Sequence, residues 1–403
     1  MSELLSLEDA WERLLALAPS LPIIETDISN TADASGHLYL AEDLKAQRTQ
    51  PPADLSAMDG YAICGDGPWQ RVGESRAGHP FHGSLEPGQC TRISTGAHMP
   101  EGSDRVLIQE NAEVSGDTVR LLTGETLPDP LQHVRKRGFD FASGDTVLAK
   151  GTFVGPAQKA LAMAAGYDSF PHTSPPTIAV LDSGDELVKL AAHCGPHDIP
   201  ASNSQMIAAM LLPWIGIADH IGPVPDDLGA LAAALAKAND THILITSGGA
   251  SVGDHDHIQH ALREWGADID FWKVAIKPGK PLMVATKQHH WGRQVILGLP
   301  GNPVSSFVTA FLFALPLVRA AIGDPNPLPK TVMVTAGEAL PSVGKRHEFL
   351  RGKSDGSSVR LAGSQDSSAL MALAAANCLI DRPAGADPVR AGERVPVYNL
   401  QNG

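Results

Sequence analysis

The stretch His242-Ile-Leu-Ile-Thr-Ser247, running into Gly248-Gly249-Ala250-Ser251-Val-Gly253-Asp254, limits the fold of this chain more than any other. An apolar, β-branched run without polar alternation belongs to a strand covered on both faces. Thr177–Leu181 is a second compact run feeding a glycine-containing turn. Helical patterns at Asp227–Ala238, Asp256–Trp265 and Val304–Ile322 alternate with these runs, and in the second Ile258, Ala261, Leu262 and Trp265 form a stripe at helical spacing. Alternation over residues 175–323 predicts an open, mostly parallel α/β sheet with helices on both faces.

Other periods flank this region. Residues 6–18 predict an amphipathic helix, with Ser6 and Asp9 at capping spacing, Trp11, Leu14, Leu15 and Ala18 on one face, and Pro19 as its stop. Short runs such as Arg105–Gln109 and Thr118–Leu122, set among Gly, Pro and Asp turns, predict a small β-rich module over 51–135. Pro156–Ala165 reads as a helix. Pro325, Pro327 and Pro329 mark a linker, and Val332–Thr335 and Val395–Tyr398 are strands of a β-rich tail. At 403 residues the chain exceeds a single core. The expected division is 1–50 with 136–174, then 51–135, 175–323 and 324–403.

A net charge of −14, from 31 basic and 45 acidic residues, repels nucleic-acid backbones and anionic lipid at long range. An anionic small ligand then needs a local cradle of backbone N–H groups and a few lysines. Cys64, Cys90, Cys194 and Cys378 form no C-x-x-C pair, so neither a zinc ribbon nor a disulfide framework is expected. The first 25 residues carry Glu3, Glu8, Asp9 and Glu12 rather than a secretory pattern. The apolar stretch Phe307–Val318, with Thr309 and Pro316 inside it, fits a buried helix better than a membrane span. These readings set the expectation of a cytoplasmic protein.

Three strand-to-loop segments carry the chemistry. Ser247, Gly248, Gly249 and Ser251 let a backbone approach a ligand, and unpaired N–H groups at the following helix start favour an anion. Such a turn also occurs simply to reverse the chain. Lys273, Lys277 and Lys280, stiffened by Pro278, Gly279 and Pro281, can present ammonium groups to one anion, although a solvated basic turn is the commoner fate. Pro300, Gly301, Asn302, Pro303 and Ser305 form a third junction, with Pro303 suited to a first helical turn. Junctions at the ends of parallel strands converge on one crevice. The carboxylates Asp59, Asp140, Asp185, Glu186 and Asp256 are each, taken alone, turn or capping residues. Gathered beside phosphates, they bind Mg²⁺ through one or two oxygens, with ligand and water completing the octahedron. His255 and His257 point to different helix faces and do not make a metal pair.

These segments, in this order, resemble the molybdopterin molybdenumtransferase family, MoeA in bacteria and the E domain of gephyrin in animals. The matching motifs are PPADLSAMDGYA, RISTGAHMPEGSDRVLIQE, VRKRGFD, DSGDEL, ITSGGASVGD, FWKVAIKPGKP and LPGNPVSS, with Arg346-His-Glu348-Phe349-Leu350-Arg351 in the tail. The resemblance implies an elongated four-part subunit that dimerises, with its active site at the dimer interface. The implied reaction takes adenylyl-molybdopterin and molybdate, uses Mg²⁺, releases AMP and leaves molybdenum on the dithiolene. It also implies transient contact with the adenylyltransferase and with recipient molybdoenzymes, and no nucleic-acid or membrane partner. Carried over motif by motif, the functional carboxylates are Asp59, Asp140, Glu186 and Asp256, with Glu186 and Asp256 at the metal. Asp227 is a fifth, in Pro225-Asp-Asp227-Leu-Gly, which lacks the family's usual proline after the acidic pair. Ala201 stands where an aspartate is common. The anion loops map to Ser247–Ser251, Lys273–Lys280 and Pro300–Ser305. Two rivals have other signatures: an adenylyltransferase of the pathway is expected to be the α/β domain alone, and a scaffold is expected to need a fused partner domain and long linker.

Overall fold

The computed structural model describes residues 4–29, 37–215, 217–248 and 257–400. They form two compact units, residues 42–150 with 155–170, and the remainder of the chain.

The larger unit is built on a six-stranded sheet, in the order Ala218–Val224, Ile178–Ser183, Ile243–Ser247, Gly292–Leu299, Pro281–His289, Asp268–Lys273. The first four strands are parallel. The last two run antiparallel, as a hairpin and a further edge strand. Side chains alternate between two cores, as strand geometry requires. Ile178, Val180, Ile243, Ile245, Val295 and Leu297 pack with the helices Asn203–Ile215 and Pro303–Ala321. Ala179, Leu181, Leu244 and Ile296 pack with Leu228–Lys237 and His257–Glu264. The central strands Ile178–Ser183, Ile243–Ser247 and Gly292–Leu299 are covered on both faces along most of their length and carry no polar alternation there. Pro303–Ala321 is long and apolar enough to cross a membrane, but 89% of its most apolar window is buried within the protein.

The helix Leu7–Leu15 begins at Ser6, whose hydroxyl accepts from the Asp9 N–H. Its Leu7, Ala10 and Leu14 are buried in the same core as Pro303–Ala321. The stretch Ala310–Ala314 widens into a π-turn, and the Trp11 indole donates to the Leu312 carbonyl at 2.6 Å. A π-turn displaces carbonyls from the regular ladder, and Trp11 meets one of them.

Beyond the proline linker, five strands close on themselves: His347–Ser354 pairs with Ser358–Leu361 on one side and Cys378–Arg382 on the other, and Thr331–Ala336 and Arg394–Asn399 complete the ring. Val334, Val359, Ile380, Val395 and Val397 fill it. A two-residue strand, Ile276–Lys277, pairs in parallel with His347 and Glu348 and joins this barrel to the lysine-bearing loop.

In the smaller unit a six-stranded sheet runs Arg105–Ile108, Gly60–Ile63, Gln89–Ile93, Trp69–Ser75, Thr118–Leu121, Ala112–Ser115 around Trp69, Ile63, Leu107 and Val119. Gly60 sits where a Cβ would lie 2.1 Å from the Leu107 carbonyl, so only glycine lets these strands pair. The helix Pro156–Ala165 ends on Gly166 at φ 105°.

Candidate active site

In the larger unit the ends of the strands Ile243–Ser247 and Gly292–Leu299 lie side by side. Asn203, at the start of its helix, donates through Nδ2 to Ser247 Oγ at 2.8 Å and to the Gly301 carbonyl at 2.7 Å. One side chain thus ties the first and third loops together. Gly248, at φ 95°, donates its N–H to the Leu299 carbonyl, and an added Cβ would lie 3.0 Å from the Ser183 carbonyl. Asp182, 2% exposed and paired in register with Ser247, accepts from the Ser204 N–H at 3.3 Å. Burial pushes its carboxyl above the ordinary range, and the Ser204 contacts and the charge of His220 offset only part of that.

Asn302 caps the next helix, its Oδ1 accepting from the Val304 and Ser305 N–H groups. Gly279, at φ 99°, lies so close to this helix that a Cβ would stand 2.4 Å from Thr309 Cγ2. Here a cavity of about 590 Å³ opens between the α/β part and the barrel, its wall including Lys277, Gly279, Ser305, Arg346, Glu348, Arg351, Gln365 and Ser367. Lys277 Nζ lies 3.0 Å from Glu348 Oε1. Arg351 is 1% exposed, and its Nη2 donates to the Ser364 and Asp366 carbonyls. Its Nε is buried and lacks a hydrogen-bond partner. Burial lowers the guanidinium's proton affinity. Lys273 and Lys280 are exposed and do not line this cavity.

Glu186 is exposed in the loop after Ile178–Ser183. Beside it Asp185 accepts from the Asp226 N–H, and Asp226 accepts from Ser183 Oγ. Asp227 caps the helix Leu228–Lys237, accepting from the Ala230 N–H at 2.9 Å. Gly249, Ser251 and Asp256 lie outside the described residues. Among the described residues, no three His, Cys, Asp or Glu side chains group as a metal site.

In the smaller unit, Leu55–Ser56 pairs with Val134–Arg135, and Ser56 also bonds the backbone of 96–97. One surface therefore carries PPADLSAMDG, ISTGA and VRKRGFD. Asp59, exposed at its edge, accepts from the Thr95 N–H at 2.6 Å and from the Thr95 hydroxyl at 3.1 Å. The Thr95 N–H, more than its hydroxyl, holds the Asp59 carboxyl below the usual range. Asp54 anchors the basic loop through Lys136 Nζ at 2.7 Å and the Arg137 N–H at 2.8 Å. Gly138 and Asp140 donate their N–H groups to the Pro51 and Gln50 carbonyls, leaving the Asp140 side chain exposed.

The sequence patterns do not single out Asn203, Asp182 or Arg351. Asn203 lacks an apolar stripe after it, Asp182 is overshadowed by the acidic pair beside it, and Arg351 reads only as part of a tail motif.

Fold and crevice together define a multidomain protein built on an open α/β domain with loops gathered at its strand ends. Family models match in three successive blocks: the MoeA N-terminal region (domain I and II) over residues 5–166, a probable molybdopterin binding domain over 179–320, and the MoeA C-terminal region (domain IV) over 333–400. The chain belongs to the molybdopterin molybdenumtransferase family. It is 31% identical to the molybdopterin molybdenumtransferase of Haemophilus influenzae, covering 98% of each chain. It is 33% identical to that of Nostoc sp., over 98% of this chain and 94% of the relative. The solved structure of the molybdopterin biosynthesis MoeA protein from Pyrococcus horikoshii superposes with a TM-score of 0.82 at 26% identity, covering 98% of this chain and 99% of that one.

Proposed function

We propose that this chain inserts molybdate into adenylyl-molybdopterin, releasing AMP and leaving molybdenum on the dithiolene of the finished cofactor. What carries this reading is the cavity lined by Ser305, Lys277, Arg346 and Arg351, just past the junction where Asn203 ties Ser247 to Gly301, in a chain with a net charge of −14. An acidic protein attracts oxyanions only where such groups are gathered locally. A buried guanidinium with an unpartnered N–H is costly, and an oxyanion relieves the cost. A lysine–oxyanion pair at 4 Å is worth about 1 kcal/mol in water and about 4 where the effective dielectric constant is near 20. Lys277, half-exposed and paired with Glu348, sits toward the lower figure, and the buried Arg351 supplies the less screened charge. The capped helix start at Asn302 and the loop at Ser247–Gly248 suit a phosphate. Holding molybdate beside the dithiolene accelerates transfer chiefly by proximity.

Asp59, Asp140 and Glu186 are the carboxylates assigned to the chemistry, and Asp227 supports it as a helix cap. Asp256, Gly249 and Ser251 keep the roles that the motifs give them. A hard cation would be held through Glu186 and Asp256, with the ligand's phosphates and water completing its shell. Mg²⁺ there would offset negative charge on the phosphoanhydride. A homodimer, a cytoplasmic setting, and transient contacts with the adenylyltransferase and recipient molybdoenzymes complete the reading.

The test combines purified protein, adenylyl-molybdopterin, molybdate and Mg²⁺ and follows AMP. Molybdate-dependent AMP release that stops without divalent cation is expected. ATP consumption with accumulation of adenylyl-molybdopterin, or tight pterin binding without turnover, would overturn it.

A further inference from the structure

The wall of the cavity between the α/β part and the barrel carries carboxylates as well as cations. Asp366 is engaged locally, its Oδ1 accepting from the Ser368 N–H and hydroxyl. Glu348 instead stands between two cations on neighbouring strands. Its parallel partner is Lys277, whose Nζ lies 3.0 Å from Glu348 Oε1. Its antiparallel partner is Arg382, and side chains directly opposed in such a pair have Cβ atoms about 5 Å apart. Arg382 is 2% exposed, and its Nη2 donates to the Pro341 and Asp387 carbonyls. Its Nη1 is buried and lacks a hydrogen-bond partner. A buried charge is costly unless it is paired, so Arg382 has a standing use for a carboxylate. A carboxylate in the wall of an oxyanion cavity also repels the ligand unless a cation neutralises it. Lys277 cannot serve Glu348 and an oxyanion at full strength together.

We infer that Glu348 is a positioning residue that exchanges partners on binding: it holds Lys277 before the oxyanion arrives and turns to Arg382 Nη1 as the ligand takes the ammonium group. This rests on the reading of the cavity as the oxyanion site, but it concerns binding rather than turnover. The exchange offers the ligand a preplaced ammonium group and keeps the displaced carboxylate neutralised. It also makes Glu348 a competitor of the oxyanion. The affinity of the cavity is then set by the difference between two ion pairs, not by Lys277 alone.

Molybdate is titrated into the full chain and its Glu348→Gln, Lys277→Ala and doubly substituted forms. The titrations run in about 0.5 M salt, where the screening length is about 4 Å and charge effects through solvent are small. Glu348→Gln removes the competitor and is expected to tighten molybdate binding at least threefold. In the Lys277→Ala background the same change should alter affinity by less than 1.5-fold. Arg382→Gln takes away the alternative partner, so molybdate binding should weaken at least threefold, and adding Glu348→Gln should restore it. Should Arg382→Gln fail to fold, the cycle with Lys277 decides alone. A glutamate with a merely structural role would weaken binding when replaced, with or without Lys277. Unchanged or weaker binding in Glu348→Gln, an equal gain in both Lys277 backgrounds, no rescue of a folded Arg382→Gln chain, or no molybdate binding in any form would overturn the inference. Absence of AMP release in a chain whose affinities follow the cycle would sink the insertase reading and leave the exchange standing.

Discussion

A carboxyl group with 2% of its surface exposed, as in Asp182, ionises against the low dielectric around it, so the folded state holds its proton more tightly than the unfolded chain does. By linkage, a raised carboxyl stabilises the fold below the unfolded value of 3.8 and withdraws that stability as pH rises through the higher folded value. Asp182→Asn is therefore expected to raise the thermal midpoint at pH 8 and to lose that advantage near pH 3.5, which scans at the two pH values will read. Asp59 has the opposite sign. The Thr95 N–H and hydroxyl lower its carboxyl, so its contribution is present above 3.8 and fades as pH falls through the depressed folded value. Asp59→Asn keeps an oxygen for the Thr95 N–H but loses the charge. AMP release should fall at least tenfold, with the unfolding temperature at pH 7 lowered only slightly, since the lost charge is exposed. Wild-type turnover in this variant would remove Asp59 from the chemistry.

Among the elements, Gly279 shows how a single missing Cβ sets the lysine loop against a helix. An alanine there meets Thr309 Cγ2 at 2.4 Å while holding φ near 99°, so the loop must shift. Gly279→Ala is expected to destabilise the protein by about 1–3 kcal/mol. Because Lys277 moves with the loop, the KM for molybdate should rise at least fivefold, and more than that for adenylyl-molybdopterin. Steady-state kinetics with each substrate varied in turn will distinguish the two. The strand Ile243–Ser247 and the helices Leu228–Lys237 and Pro156–Ala165 are readable from apolar period alone, to within a residue or two. The helix Asn203–Ile215 is not, since it carries Pro213 and is packed on several sides, leaving no clean polar face. Nor does local pattern show that Asp268–Lys273 and Pro281–His289 run antiparallel to their neighbours, because strand direction is settled by the hairpin before Gly292. The glycine-rich loops are legible in the sequence as candidates for an anion site. Asn203, which clamps two of them, reaches Gly301 across 98 positions, and Arg351 comes from the barrel beyond the proline linker. Such contacts exist only once tertiary structure has formed.

Over the whole molecule, each unit has a core of its own: around Trp69, Ile63 and Val119 in the smaller, and around the two faces of the α/β sheet and the barrel interior in the larger. A chain built this way need not unfold as one two-state system. Scanning calorimetry is expected to give a measured enthalpy larger than the van't Hoff enthalpy, resolved into two transitions of unequal size. The larger transition should belong to the unit with the α/β sheet and barrel, since unfolding enthalpy scales with residues unfolded. A ligand that binds only the folded form stabilises the unit that holds it, by about 2.7 kcal/mol at a hundred times its dissociation constant. The cavity of Lys277, Ser305, Arg346 and Arg351, proposed above to take the oxyanion, lies wholly in the larger unit. Saturating molybdate should therefore raise the larger transition by a few degrees and leave the smaller one in place. A shift confined to the smaller transition would move the molybdate site to the surface carrying Asp59 and Asp140. A single transition with equal enthalpies would show that the two cores unfold as one, and the assignment would then rest on whether Arg351→Ala abolishes the molybdate shift.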